Sequence, residues 1–171
     1  GILIFLNATG MSLAGAFGGR LSDKFGTLKF IVSGLSLLTI TWILFIFTSK
    51  ETPLIIILSI GFLNGISNGL WMAPNTSETL EKIPKIYQGL ISAFNALIRN
   101  VGSVFGISIS TTLITYILIS NGLNIQIGEF KNRTDAELLV LANAMNYSFV
   151  LSAFFSIFAI VLSITGRIRS N

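Results

Sequence analysis

The chain contains no cysteine and no histidine. The first absence excludes disulfides, thiolate metal sites and thiol chemistry. The second removes the commonest general base and metal ligand, so no metal site is expected. Charge is scarce as well. Only 11% of the 171 residues are charged and 52% are hydrophobic, whereas a soluble domain carries about a quarter charged residues. Such a chain cannot cover its own surface with polar groups, and its natural solvent is a bilayer. The net charge of +4 would suggest nucleic acid only if it were gathered on one face. Here the cations stand at the ends of apolar runs, and no nucleic-acid partner is expected.

What is present is a succession of charge-free runs. A helix needs about 20 apolar residues to cross a ~30 Å hydrocarbon core, and runs of that order occur five times. They predict an all-α polytopic membrane protein with spans near 1–19, 30–49, 53–73, 89–119 and 145–166. A β-barrel would need alternating segments of about ten residues, which continuous runs oppose. Cation placement orients the bundle. Arg20, Lys24, Lys29, Lys82, Lys85, Arg167 and Arg169 fall on one side, and Lys50, Lys131 and Arg133 on the other. The first set is expected to be cytoplasmic, with the C-terminus inside. The opening "GILIFLNATG" has neither an initiator Met nor a basic leader. It reads as a fragment whose upstream part is missing.

Two connections carry helix signals of their own. "PNTSETLEKIPK" predicts a short surface helix with Asn75 as N-cap and Pro84 at its end. Thr134 and Glu137 have capping-box spacing before "LLVLANA", predicting a segment on the outer surface. Between the first two spans, "GGRLSDKFG" concentrates Arg20, Asp23 and Lys24 among glycines and reads as a tight cytoplasmic turn.

Small and polar stripes sort the spans. Gly61, Gly65 and Gly69 recur every four residues on the third span, and Gly102 and Gly106 do so on the fourth. Such spacing lets helix backbones approach closely. Asn64 and Asn68 form a second stripe beside the first; amides in hydrocarbon need partners or water. The third span is therefore interior, packed on one side and facing something polar on the other. The second and fifth spans, rich in Phe, read as peripheral, with Ser148, Ser152 and Ser156 as the fifth span's contact with the bundle. Arg99 is about 15 Å deep if the fourth helix enters near Gly89, and merely snorkels if residues 86–98 are interfacial.

Enzymatic signatures are weak. "GISNG" matches the G-x-S-x-G pattern, but Ser67 has no histidine to activate it and no strand-to-helix elbow around it. All seven acids (Asp23, Glu51, Glu78, Glu81, Glu129, Asp135 and Glu137) fall outside the apolar runs. An intramembrane proton relay needs a titratable group, so any proton site is expected to lie elsewhere. The chain is read as no enzyme, with no catalytic residue and no cofactor.

The segment Gly19, Leu21, Asp23, Lys24, Gly26 resembles the loop signature of the major facilitator superfamily, with Thr27 where a basic residue is usual. "NGLWMAPN" and the R-x-x-G-x-x-x-G run of Arg99, Gly102 and Gly106 are similar to its 14-span drug:proton antiporter branch. The resemblance implies the last five spans of a carboxy-terminal half, lacking that half's first span and the whole amino-terminal half. It further implies a multi-pass cell-membrane transporter exporting drugs or other amphipathic or cationic compounds, driven by a proton gradient. Asn64, Asn68 and Arg99 would be cavity candidates, and Gly19 to Gly26 the conformational-switch loop. Its partners would be lipid, a small-molecule substrate and the missing half. A sugar or metabolite porter of the same fold, or a non-transporting assembly or sensor subunit, are the alternatives.

Overall fold

The computed structural model describes residues 1–49, 51–81, 83–123 and 134–168. Five helices follow one another: α1 (Ile2–Phe25), α2 (Thr27–Ile46), α3 (Leu54–Glu81), α4 (Lys85–Ser120) and α5 (Asp135–Ile168). Among the described residues there is no strand, and all five helices are long and apolar enough to cross a membrane. Helices suit hydrocarbon because every backbone bond closes within the segment. The large hydrophobic side chains left on the outside are mostly Phe, Leu, Ile and Val, with Tyr87, Tyr116, Tyr147 and Met145. This is an all-helical membrane protein.

Side-chain pairings fix the directions. Leu3, Asn7, Met11 and Gly15 of α1 meet Gly61, Gly65 and Gly69 of α3 in the same order, so α1 and α3 run parallel. On α2, Thr27 pairs with Glu78, Gly34 lies against Trp71, and Thr41 bonds Asn64, so α2 runs against α3. The Thr39–Ser156 bond of 2.8 Å and the Trp42–Phe149 stack set α5 antiparallel to α2. Gln88 of α4 reaches back to the carbonyls of Leu80 and Ile83 at 3.2 and 3.4 Å. The bundle therefore goes up and down, and Arg20, Lys24, Lys29, Lys85 and Arg167 all lie at the end marked by Gly26. Lys50, Lys82, Glu129, Lys131, Arg133 and Arg169 lie outside the described residues.

The helices outrun the expected spans, and three sequence expectations change. Residues Gly18 to Phe25 are helix rather than turn. Gly18 is buried against Leu70, and Ser22 bonds back to the Gly19 carbonyl at 2.7 Å. The reversal is left to Gly26, whose φ of 93° suits a residue without Cβ. "PNTSETLEKIPK" starts no helix of its own, because α3 runs through a buried Pro74 to Glu81. Thr76 and Thr79 bond back to the carbonyls of Met72 and Asn75, placing Asn75 inside the helix. The Thr134–Glu137 segment is the start of α5 itself; the Thr134 N–H donates to the Glu137 carboxylate at 2.9 Å, and the helix continues unbroken to Ile168.

The tightest packing lies between α1 and α3. A Cβ added to Gly10 would stand 2.6 Å from the Phe62 carbonyl oxygen. One added to Gly65 or Gly69 would overlap the carbonyls of Asn7 or Met11. On α4, by contrast, a Cβ at Gly102 or Gly106 meets nothing within 4 Å. Most of α4 is exposed, and Leu118 is its one buried residue among those described.

Candidate functional site

Five polar side chains from three helices form one network. Asn7 donates through Nδ2 to the Gly61 carbonyl and to Asn64 Oδ1, both at 3.1 Å. Asn64 Nδ2 donates to Thr41 Oγ1 at 3.0 Å, and the Thr41 hydroxyl donates to the Leu38 carbonyl at 2.8 Å. Asn68 Nδ2 donates to the carbonyl and to Oδ1 of Asn64, at 2.9 and 3.2 Å. Trp71 Nε1 closes the chain on Asn68 Oδ1 at 3.3 Å. Asn64 is 7% exposed and Thr41 fully buried, so each bond replaces one that water cannot supply.

The local sequence explains the arrangement. Asn64 and Asn68 are one turn apart on α3 and share a face. The adjoining glycine face lets α1 come close enough for the Asn7 amide, with two rotatable bonds, to span the gap. Thr41 is the α2 residue whose hydroxyl oxygen accepts from the Asn64 amide. Asn64 is thus the hub tying α1, α2 and α3.

Two cavities adjoin the network, one through Asn7 and Asn64 and the other through Trp71. One, of about 690 Å³, lies between α1, α2, α3 and the start of α5. Asn7 and Asn64 line it beside Trp42, Phe45, Met145 and Phe149. Its aromatic wall is a cluster in which Phe45 and Phe149 stack at 5.3 Å and Trp42 and Phe149 at 6.0 Å. The other, of about 650 Å³, lies between α2, α3, α4 and α5, where Gly102 and Gly106 face Ser152 and Ser156. Trp42 belongs to the walls of both.

The remaining sequence candidates lie apart from the hub. Arg99 is exposed on α4. Leu21, Asp23, Lys24 and Gly26 are exposed at the Gly26 end, with Gly19 half-buried beside them. There Thr27 Oγ1 donates to Glu78 Oε2 at 3.1 Å, joining the start of α2 to the end of α3.

Two comparisons return no match, since neither a protein-family profile nor a solved structure resembles the chain. The third does. Over 154 residues the chain is 25% identical to the riboflavin transporter RibZ of Clostridioides difficile (strain 630). The alignment covers 90% of the chain and 32% of that relative, so the chain spans about a third of the relative's length. The similarity to this transporter extends over most of the chain.

Sequence reasoning missed Asn7, Thr41 and Trp71. Asn7 carried a usable signal, a single amide in the apolar run "ILIFLNATG". Thr41 carried none, because hydroxyls in membrane helices commonly satisfy themselves on their own backbone, as Thr9 and Ser59 do here. The aromatic residues of α2 and α5, spans read as peripheral, divide: Trp42, Phe45 and Phe149 cluster between the helices, while Phe154, Phe155 and Phe158 are exposed.

Proposed function

We propose that the chain is part of a secondary active transporter that carries small organic solutes across a cell membrane by alternating access. The observation that carries this reading is the alignment of 90% of the chain with a transporter, on helices that each suffice to cross a bilayer. The amide hub supports it: it holds three helices in register around polar groups, with Asn7 and Asn64 lining one cavity and Trp71 lining another. Transporters of this kind place solute sites at helix interfaces near the midplane and rock one bundle against another. The other bundle would belong to the rest of the polypeptide, with the Gly26 end and the C-terminus cytoplasmic and a proton gradient as the driving force.

Within this reading, Asn64 and Asn68 set the shape of the solute path, Arg99 supplies a polar contact, and the Gly19–Gly26 segment switches conformation. Two solute classes have support. The resemblance of "NGLWMAPN" and of Arg99, Gly102 and Gly106 to the drug:proton antiporter branch favours proton-coupled export of drugs, including cationic ones. The similarity to a riboflavin transporter favours a vitamin-sized solute.

The test is reconstitution of the complete polypeptide in proteoliposomes, with an imposed pH gradient and with riboflavin and a quaternary-ammonium dye as probes. Saturable movement of either probe is expected. Folded protein that moves neither, nor any other organic solute, in either direction would overturn the proposal.

A further inference from the structure

The cavity of about 690 Å³ between α1, α2, α3 and the start of α5 has the size of sites that hold small organic molecules. Its make-up, apolar and aromatic with a few polar groups, is also theirs. None of its described lining residues carries a charge. The rings of Trp42 and Phe45 lie 21° and 27° from parallel with that of Phe149. All three are half-buried, so the bundle leaves part of each ring uncovered. Two of the polar groups have bonding capacity to spare. Asn7 spends its Nδ2 on Gly61 and Asn64, while its Oδ1 accepts nothing among the described residues. The Asn146 side chain, half-buried on the cavity wall, makes no hydrogen bond among the described residues. It takes no part in the amide hub. Ile4 and Met145 line the cavity and are exposed, so the space is not sealed.

We propose that this cavity binds one uncharged, flat heteroaromatic molecule, with a ring face on the Trp42, Phe45 and Phe149 cluster and polar edge atoms on Asn7 and Asn146. Aromatic rings attract one another in offset stacks, and a flat ligand continues the near-parallel set. A side-chain amide offers two donors and an acceptor. Asn146 has all of these open and Asn7 its acceptor, which suits a ring edge carrying both N–H and C=O groups. A lipid chain would fill the volume but leave the Asn146 amide without a partner, at a cost in free energy. An ion would lose its water and meet no described charge in exchange. As the solute site of a transporter the cavity rests on the transport reading; as a binding site it does not.

The test is equilibrium binding to the complete polypeptide in nanodiscs, measured apart from flux, with riboflavin and its bare ring analogue lumichrome as probes. Both are expected to bind. Asn146→Leu breaks no hydrogen bond among the described residues, yet should weaken binding about threefold to tenfold, the range for one neutral hydrogen bond. Phe149→Leu should weaken it by about the same factor through the lost ring contact. Phe154→Leu, at an exposed ring away from the cavity, should leave it unchanged. Location is read separately. A thiol introduced by Ala142→Cys on the cavity wall should react with maleimide more slowly when riboflavin is bound, and one introduced by Phe154→Cys should not. Binding of neither probe overturns the proposal. So does unchanged affinity in a folded Asn146→Leu, or labelling of Ala142→Cys that ignores bound riboflavin, as when a lipid chain or another helix fills the cavity. Binding and protection without flux would uphold the site while refuting transport. Flux without protection would refute the site and leave transport standing.

Discussion

Replacing Gly65 by Ala probes the α1–α3 contact on which the amide hub depends. The new Cβ would overlap the Asn7 carbonyl oxygen and stand 2.8 Å from its carbon and 3.0 Å from its Cα. These are backbone atoms of a neighbouring helix and cannot rotate aside. Reaching an ordinary contact of 3.4 Å from the carbon requires the helices to part by at least roughly 0.6 Å, since interiors are packed without slack. The Asn7 bonds to Gly61 and Asn64, both 3.1 Å, would then lengthen beyond useful hydrogen-bond range. Overpacking costs about 1–3 kcal/mol, and two interhelical bonds add about 0.6 kcal/mol each. The helix-propensity gain of Ala over Gly, about 1 kcal/mol, offsets part, leaving a net loss of about 1–3 kcal/mol. Gly102→Ala is the control: its Cβ meets nothing within 4 Å, so only the propensity gain of up to about 1 kcal/mol remains. Unfolding of the 171-residue chain in mixed detergent micelles, followed by the fluorescence of Trp42 and Trp71, measures both. Equal stability of the two variants would refute the close-approach argument.

Other outcomes follow from the same geometry. Asn64→Leu removes three side-chain bonds, yet Asn7, Asn68 and Thr41 each keep another partner. The loss should therefore be about 2 kcal/mol, at ~0.6 kcal/mol per bond in a membrane protein, read in the same unfolding assay. Gly26→Val puts a β-branched residue at φ 93° and should cost about 1–3 kcal/mol, whereas Gly19→Ala, with open space around its Cβ, should not destabilise. Thr27→Ala deletes the bond to Glu78 and should cost about 1 kcal/mol or less, while Thr27→Lys should keep the α2–α3 connection by pairing with the carboxylate. A reporter inserted after Gly122 should read opposite to one inserted after Gly26, because α3 and α4 end at opposite faces; equal readings would contradict the up-and-down order.

Composition and run length made the five helices legible, because a membrane helix announces itself through twenty consecutive residues. Their ends were less legible. "GGRLSDKFG" and "PNTSETLEKIPK" carry glycine, proline and capping residues that ordinarily stop helices in water. Here Gly18 and Pro74 are buried in packed contacts, and that packing outweighs local propensity. The glycine and asparagine stripes of α3 were visible as stripes, but their partners were not. Asn7 stands 57 residues from Asn64, and no local pattern links them.

By itself the sequence determined the solvent of this protein, its helical class and the faces on which small and polar residues gather. Each follows from short-range physics: transfer of apolar side chains out of water, and a fixed helical period. Only the tertiary structure decided which faces meet, that Gly65 sits on the Asn7 backbone while Gly102 and Gly106 border a cavity, and that Asn64 is a hub rather than an unpaired amide. Those outcomes depend on how whole helices fit, where a single Cβ set against a neighbouring backbone separates contact from exclusion.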